Sequence, residues 1–279
     1  MQRVSDAFSI TFWGVRGSIA APGPKTARYG GNTPCLEIRC GDRTIVIDAG
    51  TGLRPLGGKL AGEGNGQDLN VYFTHTHMDH FVGLPFFAPA YNPTNKVSFW
   101  SGHLRPDRTL REACEHLMSN PLFPVPPDVF QADVSFNDFD CGETLQPFDD
   151  VRLVTAPLDH PGRCTGYRIE YSGKAIAVVT DTAHVPGKPN EGALKLMDKA
   201  DIVVYDAMFT EEEFAGRPDW GHSTWNEGIR LMEMADAKQL VLFHHDPART
   251  DDAMDKIAAE AAAARPGTIA AIEGETLTL

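Results

Sequence analysis

The sequence predicts an α/β fold in which two β-sheets stack face to face with helices on the outside. Short apolar, β-branched runs recur along the chain, as strands of a covered sheet do. Strands come first, strands mixed with helices follow, and that order then repeats. No internal period and no low-complexity linker interrupts the chain, so residues 1–279 are expected to form a single domain.

Phe8–Trp13, Cys35–Arg39 and Thr44–Ile47 read as strands, the last two joined by a turn at Gly41-Asp42. Residues 57–68 (GGKLAGEGNGQD) are glycine-rich and polar and read as a flexible loop. Their Gly62-x-Gly64-x-Gly66 spacing imitates a dinucleotide fingerprint, but it precedes a strand instead of following one. Leu69–Thr74 is a strand running straight into His75, and Val97–Trp100 is another. Residues 103–138 differ in character: a helix at about 107–118 and then the proline-rich PLFPVPPDVF suggest an inserted lid. Val151–Ala156, Gly166–Tyr171, Ala175–Thr180 and Ile202–Tyr205 resume the strands. At Thr224 a capping box (Thr224-x-x-Glu227) opens a helix whose Trp225, Ile229 and Met232 share one face. Gln239–Phe243 is a strand, Asp251–Ala264 a helix stopped by Arg265-Pro266-Gly267, and residues 268–279 supply one or two final strands.

Composition narrows the function. Hydrophobic residues at 42% and charged residues at 23% match a globular chain and exclude a disordered or fibrous one. Lys+Arg 25 against Asp+Glu 38 leaves a net charge of −13, which repels phosphate backbones, so no stable nucleic-acid complex is expected. A small anionic substrate remains compatible, because a bound cation inverts the local sign. The five cysteines, at 35, 40, 114, 141 and 164, form no CxxC and read as reduced thiols of a cytoplasmic protein. Neither a signal peptide nor a run of 18 apolar residues is present, so no membrane partner is expected. No GxSxG, P-loop or S-x-x-K motif supports a serine or P-loop mechanism.

The chemistry concentrates in Thr74-His75-Thr76-His77-Met78-Asp79-His80. In an extended segment His75 and His77 present two imidazoles on one side, enough to grip one ion. Asp79 and His80 then begin a turn and aim at a neighbouring position, so the spacing argues for two metals. Three more ligand-type residues sit at strand ends: His160 in LDHPG, Asp181 after AIAVVT, and His244 after QLVLF, with His245 as an adjacent competitor.

This ordered set resembles the metallo-β-lactamase-fold superfamily of metal-dependent hydrolases. The resemblance implies a four-layer αββα sandwich of two mixed sheets with flanking helices. It also implies two Zn²⁺, with Mn²⁺ or Fe as alternatives. By that likeness His75, His77 and His160 hold the first ion, Asp79, His80 and His244 the second, and Asp181 bridges them. His244 is preferred over His245 because it lies first beyond the strand and aligns with the family's final histidine.

Gly221-His222-Ser223-Thr224, residues 200–207 with Asp206, Phe12-Trp13-Gly14-Val15-Arg16-Gly17-Ser18 and Gly30-Gly31-Asn32-Thr33 resemble motifs of the phosphodiesterase branch, which includes tRNase Z and cyclic-phosphate phosphodiesterases. The implied activity is hydrolysis of a small cyclic or nucleotide phosphodiester by a metal-bridged hydroxide. Asp79 would orient the water's proton, His222 would protonate the leaving alkoxide, and Asp206 would fix a histidine tautomer. A tRNase Z-like endoribonuclease is the alternative, followed by a carbonyl hydrolase (lactamase, lactonase or thioesterase). The apolar Val178 stands where an acidic helper sits in some relatives, and a homodimer is expected because relatives dimerise. Asp48 in IDAGTG reads either as a partner of the 75–80 loop or as a turn residue. His103, His116 and His184 lack a partner at ligand spacing, although His184 is near enough to Asp181 to line the pocket. Arg163 reads as a solvated loop residue, and Trp220 and Trp225 flank His222.

Overall fold

The computed structural model describes residues 7–279. Its first half contains β1 (Phe8–Gly14), β2 (Cys35–Cys40), β3 (Arg43–Ile47), α1 (Leu53–Glu63), β4 (Asp68–Phe73), α2 (Met78–Phe81), β5 (Lys96–Ser101), α3 (Leu110–Leu117) and β6 (Asp133–Asp138). The second half contains β7 (Thr144–Phe148), β8 (Val151–Leu158), β9 (Cys164–Tyr171), β10 (Lys174–Val179), α4 (Glu191–Met197), β11 (Ile202–Asp206) and α5 (Glu211–Ala215). It closes with α6 (Trp225–Met234), β12 (Gln239–Phe243), α7 (Asp251–Ala264), β13 (Ile269–Ala270) and β14 (Thr276–Thr278).

Among the described residues the strands form two seven-stranded sheets, ordered β14-β1-β2-β3-β4-β5-β6 and β13-β12-β11-β10-β9-β8-β7. Each sheet is antiparallel at one end and parallel at the other: β3 to β6 run parallel in the first, β10 to β13 in the second. This is the mixed-sheet α/β sandwich expected from the sequence.

Period-two burial produces the layers. Along β10, Ala175, Ala177 and Val179 face one core while Ile176 and Val178 face another, and both sides are apolar because both are covered. The central core joins Phe8, Phe12, Ile45 and Tyr72 of one sheet to Tyr167, Ile176, Val204 and Phe243 of the other. On the outer faces, α1 and α3 pack on the first sheet through Leu53, Leu56, Leu60 and Leu110. Leu196 of α4, Leu231 of α6 and Met254 of α7 cover the second. Among the described residues no helix is long and apolar enough to cross a membrane.

Two segments differ from expectation. The glycine-rich 57–68 stretch is not a flexible loop throughout, because residues up to Glu63 belong to α1. Leu53, Leu56 and Leu60 recur on one helical face and are buried, so their packing outweighs a glycine penalty of about 1 kcal/mol per residue. Pro55 falls in the first turn, where its missing N–H leaves no helical bond unmade. The segment 103–138 divides. The helix expected at about 107–118 is α3 (Leu110–Leu117), opened by a complete capping box at Thr109 and Glu112, whereas residues 133–138, read as part of the insert, form the parallel edge strand β6. Also absent from the sequence reading are β7, α4 and α5.

Candidate metal centre

The C-terminal tips of strands from both sheets meet at one rim. His75 lies two residues beyond β4 and His160 two beyond β8. Asp181 lies two beyond β10 and His244 one beyond β12, while Asp206 ends β11. Asp48 (φ 65°), Asp181 (φ 56°) and His244 (φ 60°) are all in the left-handed backbone region, which few residues other than glycine adopt. Such a residue costs on the order of 1–3 kcal/mol, and it is held where the surroundings fix the chain. Each breaks the strand sharply at the rim.

Seven side chains converge there. The donor atoms of His75, His77 and His160 lie within 4.8 Å of one another, and so do those of Asp79, His80, Asp181 and His244. In the first group His77 Nδ1 is 3.2 Å from His160 Nε2. In the second, His80 Nε2 is 3.2 Å from His244 Nε2, from Asp79 Oδ2 and from Asp181 Oδ2. His244 Nε2 is 3.2 Å from Asp79 Oδ2 and 3.3 Å from Asp181 Oδ1. Asp181 Oδ1 also approaches the first group, 3.8 Å from His75 Nε2 and 3.9 Å from His160 Nε2.

This donor set fits metal ions. Ligand atoms about 2.0–2.1 Å from a tetrahedral ion stand about 3.3 Å from one another, which is the spacing of the second group. The tautomers agree. His80 Nδ1 donates to Asp48 Oδ2 at 2.8 Å and His160 Nδ1 to the Gly221 carbonyl at 2.7 Å, so each turns an Nε2 lone pair inward. His75 Nε2 is buried with no hydrogen-bond partner among the described residues, as befits an atom reserved for a group outside the chain.

Electrostatics favours the ligating protonation states of His75, His77, His160, Asp79 and Asp181. For His80, burial opposes the charged ring, but the carboxylates of Asp181, Asp79 and Asp48 outweigh it and favour that form. Burial holds His75, His77 and His160 below the usual imidazole range, and for His75 the neighbouring His80 adds to it. Burial opposes ionisation of Asp79 and Asp181, but the surrounding imidazoles outweigh it and keep both carboxyls well below the ordinary range.

A supporting layer surrounds the clustered donors. Asp48 is buried, accepts from the N–H of Thr74 at 2.8 Å and from its hydroxyl, and holds His80, so its role as a partner of the 75–80 loop is the one observed. His222 Nδ1 donates to Asp206 Oδ2 at 2.9 Å, and the His222 ring stacks on His244 at 4.9 Å and tilts toward His160 at 5.3 Å. Asp206 also accepts from the backbone N–H groups of Thr182 and Met208. Burial disfavours the charged imidazolium of His222, yet Asp206 and then Asp181 raise its pKa to about 9. Gly221, with φ 83°, supplies the carbonyl for His160, and a Cβ there would stand 2.5 Å from His160 Nδ1.

Of the remaining candidates, His245 points away from the cluster, its Nε2 donating to the Ala271 carbonyl and its ring edge-on to Tyr29. Val178 is packed in the core between the sheets. His184 bonds Ser223 Oγ at 2.8 Å and stacks on Phe214, and Arg163 is tied to Asp107 and the Arg105 carbonyl. Trp225 packs on the outer core, and Trp220 is exposed beside Phe209 and Arg217. Two supporting contacts escape sequence reasoning: His103 bridges Ser101 Oγ and Thr76 Oγ1, bracing the H-x-H loop, and the Ser18 N–H donates to Asp79 Oδ2 at 2.7 Å. A lone histidine and a backbone amide leave no motif to find.

The family model described as the β-lactamase superfamily domain matches residues 43–245, which contain all seven clustered side chains. The chain belongs to the β-lactamase superfamily. Ribonuclease Z of Archaeoglobus fulgidus is 22% identical over 294 residues, covering 88% of this chain and 90% of that protein. The metallo-β-lactamase fold protein YhfI of Bacillus subtilis superposes with a TM-score of 0.73 at 18% identity, covering 99% of this chain and 100% of the other. A diphosphatase of the PhnP family superposes at 0.69 with 17% identity, covering 98% and 97%. This β-lactamase superfamily member is a metal-dependent hydrolase, and its fold is the metallo-β-lactamase sandwich.

Proposed function

We propose that this hydrolase cleaves a small cyclic or nucleotide phosphodiester with two Zn²⁺. His75, His77 and His160 would hold one ion, Asp79, His80 and His244 the other, and Asp181 lies between the groups. Mn²⁺ or Fe also suits such nitrogen and oxygen donors. Bound ions would polarise a phosphoryl oxygen and lower the pKa of the attacking water.

The observation that carries the reading is the His222–Asp206 pair beside the cluster. An alkoxide leaving from phosphorus is a poor leaving group and needs a proton. Asp206 favours the protonated ring of His222 and occupies Nδ1, so that Nε2 is the atom left to donate. General acid catalysis of this kind contributes on the order of 10²–10⁴-fold. Asp79, an ionised carboxylate at the cluster, orients the proton of the attacking water. Asp48 keeps the His80 lone pair aimed inward.

A tRNase Z-like endoribonuclease is the second reading, favoured by full-length relatives that bear the name Ribonuclease Z. Against it stands a net charge of −13, and residues 103–138 fold onto the sheet as α3 and β6. The test is a substrate panel on protein of measured metal content: bis-p-nitrophenyl phosphate, cyclic AMP and a precursor tRNA. Turnover of the small diesters supports the proposal, and efficient cleavage of the tRNA alone reverses the ranking. An His222→Ala variant with undiminished turnover of an alkyl diester would remove His222 as the proton donor, whereas a metal-loaded wild type that turns over none of the phosphodiesters would remove the phosphodiesterase reading itself.

A further inference from the structure

We infer that residues 15–18, fastened by the buried Arg16, position the Asp79–His80–His244 group, and that Arg16 is a positioning residue for that half of the centre alone. The inference rests on the two-ion reading above.

The segment lies alongside the chain that follows β12. Arg16 pairs in parallel with His245, the Gly17 N–H donates to the His245 carbonyl at 3.0 Å, and the His245 N–H donates to the Val15 carbonyl at 2.9 Å. It then touches two ligands directly. Gly17 abuts the His244 imidazole so closely that a Cβ would stand 2.4 Å from the ring, and the Ser18 N–H reaches Asp79 Oδ2 at 2.7 Å. Ser18 itself is left-handed, with φ 62°, which turns that N–H toward the cluster.

Arg16 fixes this arrangement from beneath. Its side chain is fully buried, an unusual place for a guanidinium. Nε donates to the Gly30 carbonyl at 2.7 Å, while Nη1 donates to the carbonyls of Arg249 at 2.7 Å and Asp246 at 3.2 Å. Nη2 lies 3.7 Å from Asp251 Oδ1. One rigid fork therefore gathers the loop after His244 and the 30–32 turn against the 15–18 segment. A lysine, with donors on a single atom, cannot reproduce three diverging bonds.

The other group has supports of its own. His160 is oriented by the Gly221 carbonyl, and the H-x-H loop is braced by His103. Among the described residues no hydrogen bond joins 15–18 to His75, His77 or His160. A fault in the Arg16 support should reach one ion and spare the other, whereas a general structural role would loosen both.

The experiment titrates metal-free protein with Zn²⁺ against a chromophoric chelator, for the wild type, Arg16→Lys and Gly17→Ala. Folding is checked by circular dichroism. Gly17→Ala disturbs His244 without touching the buried fork, so it carries the test where Arg16→Lys fails to fold. The expected result is two tight ions per wild-type chain and one in the variants, the second binding at least tenfold more weakly. Two tight ions in both folded variants overturn this inference alone, as does equal weakening of both ions. A wild-type chain that takes up a single ion overturns the two-ion reading and this inference with it.

Discussion

Asp48 Oδ2 and His80 Nδ1 meet at 2.8 Å in a buried contact that joins the tip of β3 to the loop after β4. The contact decides which nitrogen of His80 faces the cluster. Partners of this kind are worth roughly 10–100-fold in metal affinity. Asp48→Asn keeps the shape but loses the charge that favours an Nδ1–H tautomer. Its Zn²⁺ affinity should fall within that range while the fold persists, as chelator competition and circular dichroism would report. Unchanged affinity would show that Asp48 serves only the turn.

Asp181 is the carboxylate shared by the two ligand groups. Asp181→Ala should lower the bound metal per chain and the turnover of bis-p-nitrophenyl phosphate together. A variant that has lost one ion yet retains the wild-type rate would rule out a role for both ions in the reaction.

The contribution of His222 depends on the leaving group. Removing a general acid costs on the order of 10²–10⁴-fold where the departing oxygen needs a proton, and far less where it does not. His222→Ala should therefore slow an alkyl phosphodiester strongly and a p-nitrophenyl diester weakly. Equal losses on both substrates would assign His222 to binding instead of proton donation.

Metal removal should destabilise the chain. An ion that binds the native state alone stabilises by RT ln(1 + [L]/Kd), about 2.7 kcal/mol at a hundredfold excess over Kd. Here the native state gathers imidazoles and carboxylates that the unfolded chain scatters. Thermal unfolding of chelator-treated protein should shift upward when Zn²⁺ is returned. The Asp181→Ala variant should show a smaller shift.

The helical reading of α1 is testable through its packing face. Leu56 is fully buried, so Leu56→Ala should cost about 2–5 kcal/mol in denaturant unfolding. A loop at that position would absorb the change with little loss.

The ligand cluster is legible in the sequence because its chemistry is local. Four donors fall between His75 and His80, and the distant ones each follow an apolar run that ends at the rim. The choice of His244 over His245 follows from its place first beyond the strand and from the resemblance to the family's final histidine, and His245 does point away, to the Ala271 carbonyl. What stays hidden is contributed by backbone and by tertiary packing. The Ser18 amide and the Gly221 carbonyl hold Asp79 and His160, yet an amide or a carbonyl belongs to every residue alike. For α1, four glycines within 57–64 outweigh three spaced leucines in any local reading, and only the sheet beneath reverses the balance. The strands β7 and β6 are short edge elements with half-exposed residues, so their apolar pattern is faint.

The clustered donors come from both sheets: His75, His77, Asp79 and His80 from the loop after β4, and His160, Asp181 and His244 from the tips of β8, β10 and β12. A cation gripped from both sides would act as a rivet through the seam. Sliding one half of the sandwich past the other would tear such a cage open, so a bound ion and the docking of the halves would reinforce each other mechanically.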